Sequence, residues 1–282
     1  MTLLVRMDDL DLPFAVSCLG DASGPAVIVL PGGPCRGPEY LGDLAGLADD
    51  HALVVLHPRG APHSGGLSRG WWSDADDVVA LVDALGLADV DIVAHSAGTR
   101  LALATAARFG ERVRSLALVT PPAAWLTGAS SDVASIAVNR AEPEVTEALA
   151  ALEHGDASTE TEYRALFLRQ APAGYARWTD RERAHAQLGA VSLAAATAWF
   201  RDIPSDAPER IQAMHLPPPT LVVGGDQDLL TGVQPVRDYA AALDARVAFI
   251  AECGHYPWLE QPAAFRELLD TWLAERSRAA RG

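Results

Sequence analysis

The chain contains no lysine. Arginine carries all the fixed side-chain positive charge, and 22 basic residues against 37 acidic ones give a formal net charge of −15 at pH 7. That balance disfavours nucleic acid and anionic membrane surfaces, which attract basic patches. It would suit a cationic substrate, although solubility is the plainer explanation. No run of about eighteen apolar residues is present, so no membrane span is expected. The start, Met1 to Asp9, lacks a basic segment followed by a long apolar one, and no secretory signal is visible. Cysteine is scarce. Cys18, Cys35 and Cys253 cannot all pair and lack metal-ligand spacing, so they are expected as reduced thiols of a cytoplasmic protein. No Gly-x-Gly-x-x-Gly follows the first strand and there is no P-loop, so the fingerprints of dinucleotide and nucleotide binding are missing. The partner expected is a small-molecule substrate. Oligomeric state is not legible.

What is present is concentrated around Ser96. The apolar run Val90-Asp91-Ile92-Val93 leads into Ala94-His95-Ser96-Ala97-Gly98, and a helical run from Thr99 to Ala107 leads out. A strand, a tight turn holding a serine and a helix make a nucleophile elbow. The turn strains the serine backbone, so the residues two before and two after must be small, as Ala94 and Gly98 are. Free N–H groups at the helix start face any anion formed there. The plainer reading is an ordinary turn with a helix-capping serine.

A serine hydroxyl needs a base, and the base needs an orienting acid. Residues Pro219 to Gly225 read as a buried strand with Asp226-Gln227-Asp228 at its end. A second strand, Arg246 to Ala251, runs into Glu252-Cys253-Gly254-His255-Tyr256-Pro257-Trp258-Leu259-Glu260-Gln261-Pro262. Parallel strands deliver functional groups at their C-terminal ends, so these segments can converge. The G-G-D-Q-D and G-H-Y-P-W-L-E-Q-P stretches resemble the acid and histidine loops of the α/β-hydrolase superfamily. That resemblance puts the acid three residues after Gly225, at Asp228. Asp226 is the competitor, with a turn or cap role as its plainer use. The base implied is His255.

An earlier apolar run, Ala26 to Leu30, precedes Pro31-Gly32-Gly33-Pro34-Cys35. This resembles the H-G-G-P-G loop of proline iminopeptidase-like hydrolases, the group whose loops are closest to these. The match implies an oxyanion hole formed by the N–H groups of Gly33 and Ala97. Pro31 stands where that family has a bracing histidine, and Cys35 replaces its last glycine. The stretch from Leu53 to Gly65 resembles the family's D-x-R-G-x-G-x-S loop. Arg59 and Gly60 match; His57 stands at the aspartate position and, with His63, reads as a loop brace.

Residues 2–7 and 13–18 read as two leading strands joined by a turn at Asp8-Asp9. Strands then alternate with helical patterns at Tyr40–Asp49, Ser73–Leu85, Thr99–Phe109, Val233–Leu243 and Ala263–Arg276. This argues for an α/β fold, a mostly parallel sheet with helices on both faces. The alternation breaks after the strand Arg114–Val119. From Pro121 to about Leu216 the pattern is helical, with prolines at both joins. This resembles a helical cap, 121–216, inserted in a core of 1–120 and 217–282. In the cap, Trp125, Tyr163, Phe167, Tyr175, Trp178, Trp199 and Phe200 are pocket candidates, with helix packing as the plainer role. Trp125, Trp178 and Trp199, together with Cys35, are taken as candidate substrate contacts. Cap glutamates grip the substrate amine in proline iminopeptidases; Glu142, Glu144, Glu160 and Glu162 are candidates, with a solvated helix face as the default.

The resemblance therefore implies a serine hydrolase with the triad Ser96, Asp228 and His255. It would act through an acyl-enzyme on a small ester, thioester, lactone or amide, without metal or organic cofactor. A non-hydrolytic small-molecule receptor, or a natural-product-modifying protein on the same fold, is the alternative.

Overall fold

The computed structural model describes residues 11–20 and 24–279. Seven strands form one sheet: β1 (Val16–Leu19), β2 (Ala26–Leu30), β3 (Ala52–Leu56), β4 (Val90–His95), β5 (Val113–Val119), β6 (Thr220–Gly225) and β7 (Arg246–Ile250). Their spatial order is β1-β3-β2-β4-β5-β6-β7. Only β1 runs antiparallel to its neighbour. The expected strand at 2–7, and the turn after it, lie outside the described residues. The one expected at 13–18 starts later, as β1.

Alternation along the strands sorts their side chains onto two faces. Ile28, Leu30, Val54, Leu56, Ile92, Leu116, Leu118 and Val222 enter one apolar core. Val27, Val29, Leu53, Val55, Val93, Ala117, Val119, Leu221 and Val223 enter the other. The first face is covered by the helices Ala75–Ala84, Gly98–Arg108 and Gln234–Ala242 through residues such as Leu81, Leu101 and Tyr239. The second is covered by the helix Pro262–Ala279 through Phe265, Leu269 and Trp272. Burial on both faces is why the central strands are runs of Val, Ile and Leu rather than alternating apolar and polar residues.

The helix expected over Tyr40–Asp49 is not continuous. It is two short 3-10 turns, Pro38–Leu41 and Leu47–Asp49. Between them Gly42, Leu44, Ala45 and Gly46 all take left-handed backbone, with φ of 54°, 53°, 58° and 78°. These turns still bury Tyr40, Leu41, Leu44 and Leu47 in the second core, which is what their spacing recorded.

Between β5 and β6 the chain runs through seven α-helices and one short 3-10 helix and forms no strand. This segment is attached to the C-terminal ends of the strands. His255 N–H donates to Gly174 C=O at 2.8 Å, and Leu229 N–H donates to Ala173 C=O at 3.2 Å. Its last two helices, Leu193–Trp199 and Ala207–Gln212, merge with the first core through Ala195, Trp199, Ala207 and Ile211.

Candidate active site

Ser96 follows β4 directly and has φ of 49°, left-handed for a residue with a Cβ. Such strain persists only where the surroundings hold it. Here Ser96 N–H donates to Val119 C=O at 2.8 Å, and Ser96 C=O accepts from Thr99 N–H at 2.9 Å and Thr99 Oγ1 at 2.6 Å. The elbow is pressed against the loop after β2. A Cβ on Gly98 would lie 2.5 Å from the Pro31 carbonyl oxygen, and one on Gly32 would lie 2.7 Å from Ser96 Cβ. Both positions therefore require glycine.

Asp228 and His255 form a buried pair. Asp228 is 0% exposed and His255 4%. Asp228 Oδ2 lies 2.8 Å from His255 Nδ1. Leu230 N–H donates to Asp228 Oδ1 at 2.8 Å, and Thr231 Oγ1 donates to Oδ2 at 2.6 Å. These donors satisfy a carboxylate that would otherwise be costly to bury. Asp226 faces elsewhere: its Oδ1 accepts the Cys253 N–H at 3.3 Å, a turn-bracing contact.

In the loop after β2, Gly33 is left-handed at φ 52°. Neither its N–H nor that of Ala97 has a hydrogen-bond acceptor among the described residues. Free N–H groups beside the elbow are what an oxyanion hole needs.

A chain of directed hydrogen bonds joins this loop to the histidine. Gly32 N–H donates to Tyr40 Oη at 2.5 Å, and Tyr40 Oη lies 2.9 Å from His95 Nδ1. His95 Nε2 lies 3.1 Å from the His255 carbonyl oxygen. A carbonyl only accepts, so His95 carries its proton on Nε2 and accepts the Tyr40 hydroxyl proton at Nδ1. Burial, and then the neighbouring His255, hold His95 well below the ordinary histidine pKa, so it is neutral as this chain requires. Thr120 Oγ1 donates to the same His255 carbonyl at 3.1 Å. Tyr40 thus braces the loop in which Pro31 stands where the resemblance would place a histidine. Sequence reasoning missed this role. His95, next to Ser96, offered a signal; Tyr40 offered none.

Glu260 ties the histidine loop to the helical segment, accepting Gly254 N–H at 2.8 Å and Ala176 N–H at 2.7 Å. Burial pushes its pKa up to about 7, against the lowering effect of those two donors. His57 braces a loop, with Nε2 3.0 Å from Ser17 Oγ, and its ring lies edge-on to His63 at 6.5 Å. Arg59 makes a two-pronged ion pair with Asp77 at 2.6 and 2.8 Å.

A cavity of about 220 Å³ adjoins these loops and is lined by Pro34, Tyr163, Phe167, Ala186, Leu230 and Tyr256, among others. Pro34 follows Gly33 and Tyr256 follows His255. Cys35, Trp125, Trp178 and Trp199 are not among its lining residues. Cys35 is buried in the first core, and burial raises its thiol pKa to about 12. Trp199 is 1% exposed in that same core. Trp125 packs against Trp71 at 5.4 Å, and Trp178 against Tyr175 at 5.3 Å. The four candidate glutamates of segment 121–216 are occupied structurally. Glu142 pairs with Arg140 and Glu144 with Arg183. Glu160 accepts the N–H groups of Leu193 and Ala194, and Glu162 closes a capping box with Thr159.

The sequence profile of the alpha/beta hydrolase fold matches residues 25–262. The chain belongs to the α/β-hydrolase fold family. Among relatives, it is 29% identical over 234 residues to 2-hydroxymuconate semialdehyde hydrolase of Pseudomonas sp. (strain CF600), covering 76% of this chain and 71% of that one. Proline iminopeptidase of Lactobacillus delbrueckii subsp. bulgaricus matches at 35% over only 65 residues, 23% of this chain and 21% of that one. Among solved structures, the esterase EaEST from Exiguobacterium antarcticum superposes with a TM-score of 0.71 at 17% identity, covering 93% of this chain and 95% of the other.

Proposed function

We propose that this α/β-hydrolase is a serine hydrolase that cleaves a small ester or lactone through an acyl-enzyme. The observation that carries this reading is the buried Asp228–His255 pair, 2.8 Å apart, on the loops that follow β6 and β7, with left-handed Ser96 directly following β4 of the same parallel sheet. His255 Nε2 takes the Ser96 hydroxyl proton as Oγ attacks the carbonyl. Asp228 keeps the other proton on Nδ1 and balances the imidazolium. The Gly33 and Ala97 N–H groups hold the oxyanion; removing one such donor from a hydrolase costs roughly 10²–10³ in kcat. Collapse of the tetrahedral intermediate expels the alcohol, which receives the proton from His255. Water, deprotonated by His255, then attacks the acyl-enzyme and releases the acid and free Ser96.

Thioesters and small amides fit the same chemistry. Grip of a peptide N-terminus by cap glutamates is not supported, because Glu142, Glu144, Glu160 and Glu162 are engaged in ion pairs and caps. The helical segment 121–216 serves as a cap over the strand ends. Its contacts from Gly174 to His255 and from Ala173 to Leu229 support that role. The receptor reading is disfavoured by hydrolase relatives and by a triad whose acid is fully satisfied.

The test is turnover of a panel of short-chain 4-nitrophenyl esters and lactones by the native protein and by Ser96→Ala. The proposal expects turnover by the native protein and its loss in a folded Ser96→Ala variant. Equal rates in the two would refute it.

A further inference from the structure

Arg36, directly after the oxyanion loop, is 2% exposed yet makes no ion pair among the described residues. Half-buried Arg59 pairs with Asp77, and Arg114 with Asp89 and Asp91; half-buried Arg100 also makes no ion pair among the described residues, but it lies among Trp71, Trp125 and Phe200, away from the triad loops. Arg36 donates only to neutral groups. Nε and Nη2 reach the Leu188 carbonyl at 3.1 and 2.6 Å, and Nη1 reaches Tyr256 Oη at 3.1 Å. Its guanidinium lies 4.1 Å from the Tyr40 ring centroid and 5.0 Å from that of Phe167. Ring faces compensate a cation only partially. Burying a charge without a counter-ion remains costly.

Two of its neighbours face the cavity beside the triad loops, since both Phe167 and Tyr256 line it. Tyr256 Oη accepts from Arg36, and its own proton has no acceptor among the described residues. A hydroxyl that accepts from a cation is a stronger donor. At about 220 Å³ the cavity exceeds the roughly 150 Å³ that holds a benzene molecule, so it admits a short chain with a terminal polar group.

We infer that the substrate carries a carboxylate, docked in this cavity on the Tyr256 hydroxyl and balanced by the buried charge of Arg36. The inference rests on the serine-hydrolase reading for turnover but not for binding. It runs against the overall charge of −15, which would favour a cation at long range. At 0.1 M salt that field is screened beyond about 10 Å, and the local charge decides.

The probes are 4-nitrophenyl hydrogen adipate and its neutral terminal amide, which share leaving group and length. The native enzyme should favour the carboxylate at least tenfold in kcat/KM, and Tyr256→Phe should collapse that ratio toward unity. In parallel, adipate and adipamide are titrated calorimetrically into Ser96→Ala and into Ser96→Ala with Tyr256→Phe. Adipate alone should bind the first, and at least tenfold more weakly the second. Arg36→Met should lose adipate binding too; if it does not fold, the Tyr256 pair decides. Equal kcat/KM for the two esters, or a ratio untouched by Tyr256→Phe, overturns the inference. Adipate binding without turnover of any ester would support it while refuting the hydrolase.

Discussion

Asp228 takes three hydrogen bonds on two fully buried oxygens, so its orientation is fixed before substrate arrives. Asp228→Asn presents an amide where His255 needs an acceptor and favours the wrong tautomer. Its kcat should fall by about 10⁴ with the fold intact. Asp226→Asn changes only the brace on Cys253 and should cost less than tenfold. Steady-state kinetics on the two folded variants checks this, and the reverse order would exchange the two aspartates. His95 makes a pH prediction. Its pKa lies well below the ordinary value because it is buried. As pH falls below about 6.5, the unfolded chain takes up a proton that folded His95 refuses. The stability it contributes is therefore present above that pH and lost beneath it. By NMR the folded His95 ring should stay neutral at pH 6, where an ordinary histidine is mostly protonated; a midpoint near 6.5 would contradict the assigned tautomer.

At the scale of the element, the elbow and the two C-terminal loops are held together through Tyr40. Tyr40→Phe leaves the Gly32 N–H and His95 Nδ1 without partners in a buried site. Each unsatisfied group costs about 1–3 kcal/mol. The variant should melt lower and lose kcat with little change in KM, because the loop proposed to hold the oxyanion would position the transition state rather than the ground state. Calorimetry and kinetics test this; a KM effect alone would show that Tyr40 shapes binding only. The sequence made the strands, the elbow and the histidine loop legible, since buried parallel strands demand continuous apolar runs and the elbow demands small residues at Ala94 and Gly98. It did not show the broken turns at 40–49, because Tyr40, Leu41, Leu44 and Leu47 have helical spacing while the glycines at 42 and 46 turn the chain. Cavity linings were harder still. Tyr163 and Phe167 stood among seven aromatic candidates, and nothing local separates a side chain facing a cavity from Trp199, which faces the core. Arg36 was invisible because the lack of a counter-ion is a property of the fold.

For the whole molecule, both cores and the helical segment between β5 and β6 converge on the strand ends where Ser96, Asp228 and His255 lie. Closing that edge from water would strengthen every polar interaction there. Glu260, whose pKa burial pushes up to about 7, sits at the join between segment and core. Its folded pKa exceeds its unfolded value, so its contribution to stability is full below about pH 4.5 and declines as pH rises through about 7. Glu260→Ala should therefore flatten the fall in melting temperature between pH 5 and 8; an unchanged profile would place the titration elsewhere. The central claim is that Ser96 is a nucleophile activated by His255. The most direct measurement is mass spectrometry of the intact protein and its peptides after reaction with a fluorophosphonate. The account predicts one adduct, on Ser96, absent in Ser96→Ala and strongly slowed in His255→Ala. An adduct on Cys35, Cys253 or another serine with Ser96 unmodified would contradict it.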